Sequence, residues 1–116
     1  MCGIAGYMDL RGEGRIDREI LVRMADTITY RGPDSAGYFV ADNAGFGFRR
    51  LSIIDLVSGD QPIYNEDRSL VLICNGEIYN YLELKDELIQ KGHSFATKSD
   101  VEVLLHLYEE EGEEFV

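Results

Sequence analysis

The spacing of apolar and polar positions divides the chain into short elements. Residues 2–8 are small and apolar and predict a first strand, and the Gly-rich residues 10–15 predict a turn. Asp17 then stands where an N-cap is expected, with Ile16 placed for a hydrophobic staple. Ile20, Leu21, Met24 and Ile28 recur at helical spacing, so a helix is expected to about Tyr30. Residues 31–35, Arg-Gly-Pro-Asp-Ser, break it with turn chemistry. Residues 36–41 and 45–54 predict a strand pair closed by Asp42-Asn43-Ala44, a hairpin. Residues 57–66 predict a loop and residues 67–69 a turn. Residues 70–74 form an apolar run that predicts a strand buried on both faces.

Tyr81, Leu84, Leu88 and Ile89 predict an amphipathic helix stopped by Gly92. Residues 94–96 fit a short strand. Ser99 and Glu102 have capping-box spacing, opening a last helix with Val101, Leu104, Leu105 and Tyr108 on one face. Strands, helices and strands again, with neither repeats nor low-complexity segments, give an α+β fold class.

At 116 residues the length fits one domain, and 45% hydrophobic residues suffice for a modest core. No apolar run approaches the ~18 residues of a membrane span. No basic stretch leads into an apolar one, so a signal peptide is not expected and a cytoplasmic location is. The net charge of −11 disfavours a nucleic-acid partner, which would need a basic patch. Glu109, Glu110, Glu111, Glu113 and Glu114 concentrate that charge at the C-terminal end, where a solvated helix end is expected. Cys2, Cys74, His93 and His106 match no zinc spacing and no disulfide framework, so no metal is assigned.

Four places hold candidate chemistry. Removal of Met1 would leave Cys2 with a thiol and an α-amine on one residue. An amine of ordinary pKa, about 7.7–8.0, can take the thiol proton and later return it to a leaving group. Cys2 also fits a small core position in the first strand. The glycines of Gly3-Ile4-Ala5-Gly6 weaken that strand and instead suit close approach of other backbone or a ligand. Asn75-Gly76-Glu77 ends an apolar run with a side-chain amide and a glycine N–H, two donors for an oxyanion. The same pair fits a plain type I′ turn. In Arg49-Arg50-Leu51-Ser52-Ile53-Ile54-Asp55 one arginine can clamp a carboxylate while its neighbour faces the other way. Ser99-Asp100-Val101-Glu102 places acids at a helix start, where they complement the dipole or meet a substrate ammonium.

Together these runs resemble one family. Met1-Cys2-Gly3-Ile4-Ala5-Gly6 is similar to the start of class II glutamine amidotransferases, which are N-terminal-nucleophile hydrolases. Arg31-Gly32-Pro33-Asp34, Arg50-Leu51-Ser52-Ile53-Ile54-Asp55, Gln61-Pro62, Asn75-Gly76-Glu77-Ile78-Tyr79-Asn80 and Ser99-Asp100-Val101-Glu102 resemble asparagine synthetases, over essentially the whole chain. The resemblance implies an αββα sandwich, incomplete on its C-terminal side, in which residues 1–116 are the N-terminal part of the glutaminase domain and the synthetase domain is absent. It implies that Cys2 forms a glutamyl thioester with its α-amine as base, and that Asn75 and Gly76 form the oxyanion hole. Arg50 is implied to hold the glutamine α-carboxylate, Glu77 and Asp100 its ammonium, and Leu51, Ser52, Ile53 and Ile54 the pocket wall.

The resemblance calls for no cofactor in this chain; ATP and Mg belong to the synthetase domain. The partners it implies are L-glutamine and a synthetase domain or partner chain, with homo-oligomerisation possible. Phe48 stands where the family often has a histidine. A fragment inactive without a partner, or an amidotransferase serving another acceptor, remain alternatives.

Overall fold

The computed structural model describes residues 1–53, 55 and 57–116. They divide into two compact units, one comprising residues 1–52 and 60–62, the other residues 53–59 and 63–116.

The first unit is built on a three-stranded antiparallel sheet of β1 (Gly3–Met8), β2 (Ser35–Val40) and β3 (Ala44–Arg50), in the order β1-β3-β2. The expected hairpin is present: β2 and β3 pair from Ser35↔Arg50 to Val40↔Gly45. Phe39 and Phe46 lie opposite each other and stack at 4.9 Å, a cross-strand pair that fixes the register. The strand expected to continue to residue 54 ends at Arg50; residues 51–53 carry no ladder, and Ile54 lies outside the described residues.

Helix α1 (Arg18–Asp26) packs on β1 and β3. Asp17 caps it, accepting from the Glu19 N–H at 2.8 Å. Ile16, Leu21, Ala25 and Phe48 form the buried apolar residues of this unit. Burying each large side chain contributes roughly 1.5–3 kcal/mol. The helix is shorter than its periodicity suggested. Thr27 turns its hydroxyl onto the Met24 carbonyl, and the chain tightens into a 3₁₀ turn at Thr29–Arg31.

In the second unit β4 (Ile63–Tyr64) and β5 (Val71–Leu72) form a short antiparallel pair. The strand expected over residues 70–74 therefore shrinks to two residues, and it is half-buried rather than buried on both faces. Its partner begins just after Pro62, which has no N–H to extend a ladder. Asn65 organises the intervening turn: its backbone N–H donates to the Leu70 carbonyl, and its side-chain oxygen accepts from the Leu70 N–H at 2.8 Å.

Helices α2 (Tyr81–Gln90) and α3 (Val103–Glu111) pack together. Gly92 stops α2 as expected. At φ +105° it lets its own N–H reach the Ile89 carbonyl and the His93 N–H reach that of Leu88. Ile63, Val101 and Leu105 form the core, with Leu72, Ile78 and Leu104 packed against it.

Two local expectations fail here for one reason. Residues 94–96 form no strand, and Ser99 makes no side-chain cap. The buried Glu102 carboxylate instead takes the N–H groups of Ala96 and Thr97, each at 2.7 Å, along with the Thr97 hydroxyl. A 3₁₀ turn, Asp100–Glu102, leads into α3, and Tyr108 lies 40% exposed rather than on the buried face. The whole is α+β, with antiparallel pairing and, among the described residues, three α-helices. None of these is long and apolar enough to cross a membrane.

Candidate functional site

In the first unit the chain around Cys2 is tied to the exit of β3. The Leu51 N–H donates to Cys2 Sγ at 3.3 Å, and the thiol faces the Leu51 carbonyl at 3.6 Å. Arg31, at the end of the 3₁₀ turn, donates from Nε to the Cys2 carbonyl at 3.1 Å. Gly32 lets the next residues close over β3, because a Cβ there would overlap the Arg49 backbone. The Asp34 N–H then donates to the Arg50 carbonyl at 3.0 Å, and the Asp34 carboxylate accepts from the Ser52 N–H at 2.7 Å. The Arg31-Gly32-Pro33-Asp34 loop thus holds both the nucleophile candidate and the segment that follows the arginine.

The two arginines divide as alternation on a strand requires. Arg49 reaches α1, bonding the Ala25 carbonyl and pairing with Asp26. Arg50 is 6% exposed and pairs with Asp60 at 3.0 Å, whose carboxylate also accepts from the Ser35 hydroxyl at 2.8 Å. Arg50 is therefore the buried carboxylate binder of the pair. Asp60 carried no signal in sequence; only its contacts mark it. Gly3 and Gly6 serve packing: a Cβ would come within 2.9 Å of Ile28 at Gly3 and 2.7 Å of the Gly45 carbonyl at Gly6.

The second unit holds the remaining candidates. Asn75, Gly76 and Glu77 follow β5 as an exposed segment that leads toward α2, not into a returning strand. Asp100 is 5% exposed, and its carboxylate accepts from the Ile78 N–H at 2.7 Å. That bond fixes the end of the Asn75–Ile78 stretch against the start of the last helical segment. Ile53 is exposed, and Ile54 lies outside the described residues. Asp55 sits at φ +51° and its carboxylate accepts from the Ser58 N–H and hydroxyl and from the Lys98 N–H. Partial burial pushes its pKa up, but those hydrogen bonds outweigh it and lower the pKa to about 2.

The acidic end is exposed at Glu109, Glu110, Glu111, Glu113 and Glu114, as the sequence reading expected, and two of these glutamates also make side-chain contacts. Glu109 accepts from Asn65 Nδ2 at 2.8 Å and meets His106 Nδ1 at 2.9 Å, while Glu110 meets His93 Nε2 at 3.0 Å and Lys91 at 3.1 Å. Among the described residues, Glu66, His93, His106 and Glu109 form a cluster whose donor atoms all lie within 4.8 Å of one another. Cys/His spacing could not reveal it, because its members come from three separate segments.

A protein-family profile described as "Glutamine amidotransferase domain" matches residues 1–116. Asparagine synthetase (glutamine-hydrolyzing) 2 of Bacillus subtilis (strain 168) is 53% identical, covering 100% of this chain and 16% of the relative. Asparagine synthetase (glutamine-hydrolyzing) 1 of the same organism is 48% identical over 98% of this chain and 18% of the relative. Asparagine synthetase (glutamine-hydrolyzing) 2 of Oryza sativa subsp. japonica is 46% identical over 100% of this chain and 19% of the relative. The chain thus spans less than a fifth of the length of each of these relatives.

Proposed function

Because the chain belongs to the glutamine amidotransferase domain family, we propose that it carries the glutamine-hydrolysing chemistry of an asparagine synthetase, with Cys2 as nucleophile. The observation that carries this reading is the position of Cys2. It sits beside β1, its sulfur engaged by the Leu51 N–H and its carbonyl by Arg31, in the same unit as a buried arginine already bound to a carboxylate. We read the β1-β3-β2 sheet with α1 on it as a helix–sheet layer pair of the αββα sandwich of N-terminal-nucleophile hydrolases. Residues 1–116 are then the N-terminal part of a glutaminase domain.

In this mechanism Met1 is removed and the Cys2 amine takes the thiol proton. The sulfur attacks the side-chain carbonyl carbon of glutamine. The resulting oxyanion is assigned to the Asn75 side-chain amide and the Gly76 N–H. The carbon–nitrogen bond breaks, the protonated amine returns its proton to nitrogen, and ammonia leaves. Water then cleaves the thioester, releasing glutamate and restoring the thiol. Arg50 is assigned the substrate α-carboxylate and Glu77 and Asp100 its ammonium, with Leu51, Ser52, Ile53 and Ile54 as wall. The hydrolysis uses neither metal nor cofactor. We assign the ammonia to ATP- and Mg-dependent amidation of aspartate, carried out by a synthetase domain of the kind its relatives are named for.

The test is intact mass before and after incubation with a diazoketone analogue of glutamine. Loss of Met1 and one adduct on Cys2, blocked by excess glutamine, is expected. A folded chain that has lost Met1 and stays unlabelled overturns the assignment.

A further inference from the structure

We propose that Glu66, His93, His106 and Glu109 form a structural binding site for a divalent transition ion of the zinc class. The site is independent of the glutamine chemistry above and lies wholly in the second unit.

Donor chemistry and spacing carry the argument. Two imidazoles and two carboxylates are a ligand set suited to zinc. Donors at roughly 2.0–2.1 Å from a tetrahedral centre stand ~3.4 Å apart. Here His106 Nδ1 lies 2.9 Å from Glu109 and 3.6 Å from Glu66. His93 Nδ1 lies 3.5 Å from Glu109 and 3.7 Å from Glu66. Both histidines thus turn the same ring nitrogen toward the same two carboxylates. His106 and Glu109 stand three residues apart on α3, so one helix face supplies half the set. Glu66 comes from the turn between β4 and β5, and His93 from the stop of α2.

The surrounding groups match what ligated side chains need. A metal-bound histidine gives its other N–H to an outer carboxylate, and a ligating carboxylate is itself hydrogen-bonded. His93 Nε2 faces Glu110 at 3.0 Å, and His106 Nε2 faces Glu102 at 3.9 Å. Glu109 is held by Asn65 Nδ2 and Glu66 by the Ser94 N–H, each at 2.8 Å.

His106 adds an independent observation. Its side chain is 1% exposed, and among the described residues its Nε2 is left without a hydrogen-bond partner. If Nδ1 carries the proton toward Glu109, Nε2 presents a lone pair to the Glu102 carboxylate. An ion on Nδ1 moves the proton to Nε2, where it faces that carboxylate favourably. Four protein donors close a tetrahedral shell, so the ion's role is to pin the β4–β5 turn, the end of α2 and α3 together.

The test is calorimetric titration of the untagged protein with Zn(II), followed by Co(II) as a spectroscopic probe. One Zn(II) per chain is expected, with Co(II) giving tetrahedral visible bands and no thiolate charge-transfer band. Glu110→Gln, behind His93, is expected to weaken binding by ~10- to 100-fold, and His93→Gln by more. Far-ultraviolet circular dichroism confirms that each variant is folded. His93 and Glu110 are the chosen sites because neither is buried in the core. A folded protein that shows no saturable binding overturns the proposal. So does binding that His93→Gln leaves unchanged, or that carries the thiolate band.

Discussion

The Leu51 N–H donates to Cys2 Sγ at 3.3 Å, joining the start of β1 to the exit of β3 across 49 positions of sequence. This contact ties the thiol to the segment that follows Arg50. Serine retains an acceptor for the Leu51 N–H but is a far weaker nucleophile. Cys2→Ser is therefore expected to keep stability within about 1 kcal/mol of wild type. Labelling by the diazoketone analogue is expected to vanish. Urea denaturation and intact mass check the two halves, and persistent labelling would move the nucleophile elsewhere.

Arg50 offers a sharper separation of charge from shape. Lysine keeps the positive charge but loses the planar fork that holds a carboxylate at two points. Arg50→Lys is expected to raise the analogue concentration needed for half-maximal labelling by at least about tenfold, the loss of one good charge-assisted hydrogen bond. The maximal adduct should stay at one per chain. Arg49→Lys, whose parent pairs with Asp26 on α1, should leave labelling unchanged. Equal effects from both would remove the distinction drawn between them.

Features set by neighbouring residues were legible in sequence, and features set by distant ones were not. Asp17 caps α1 and Gly92 stops α2 as their local patterns foretold. Alternation separated Arg49 from Arg50, though not which of them was buried. The capping-box reading of Ser99 and Glu102 failed because Glu102 bonds backwards to Ala96 and Thr97. That choice depends on how residues 94–98 fold over the helix start. The same holds for Asp60 at Arg50 and for the His93–His106 cluster. Each gathers residues whose spacing carries no period, so only the folded chain reveals it.

Asp100 holds the end of the Asn75–Ile78 stretch through a buried carboxylate oxygen, 2.7 Å from the Ile78 N–H. Asp100→Ala leaves that N–H without its partner, and an unsatisfied buried donor costs about 1–3 kcal/mol. Chemical denaturation should show a loss of that size. Asp100→Asn keeps an oxygen in place and should recover most of it. Equal losses in both variants would show that charge, not the hydrogen bond, holds the segment.

Asp55 gives a pH dependence whose sign follows from its pKa. Its folded value, lowered to about 2 by hydrogen bonds that outweigh partial burial, lies below the 3.8 of an unperturbed aspartate. A depressed pKa means that the unfolded chain binds the proton more readily than the folded one. The stabilisation from this carboxylate is therefore fully present above about pH 4. It falls away as pH drops from there toward about 2. The contacts at stake are the Ser58 and Lys98 N–H groups, which tie Asp55 to Ser58 and to the approach of the last helix. Asp55→Asn cannot carry the charge, so its stability deficit should be constant from pH 7 to about 4 and shrink between pH 4 and 2. Guanidinium unfolding at stepped pH measures it. A deficit that stays the same down to pH 2 would mean that the carboxylate charge contributes nothing to holding this loop.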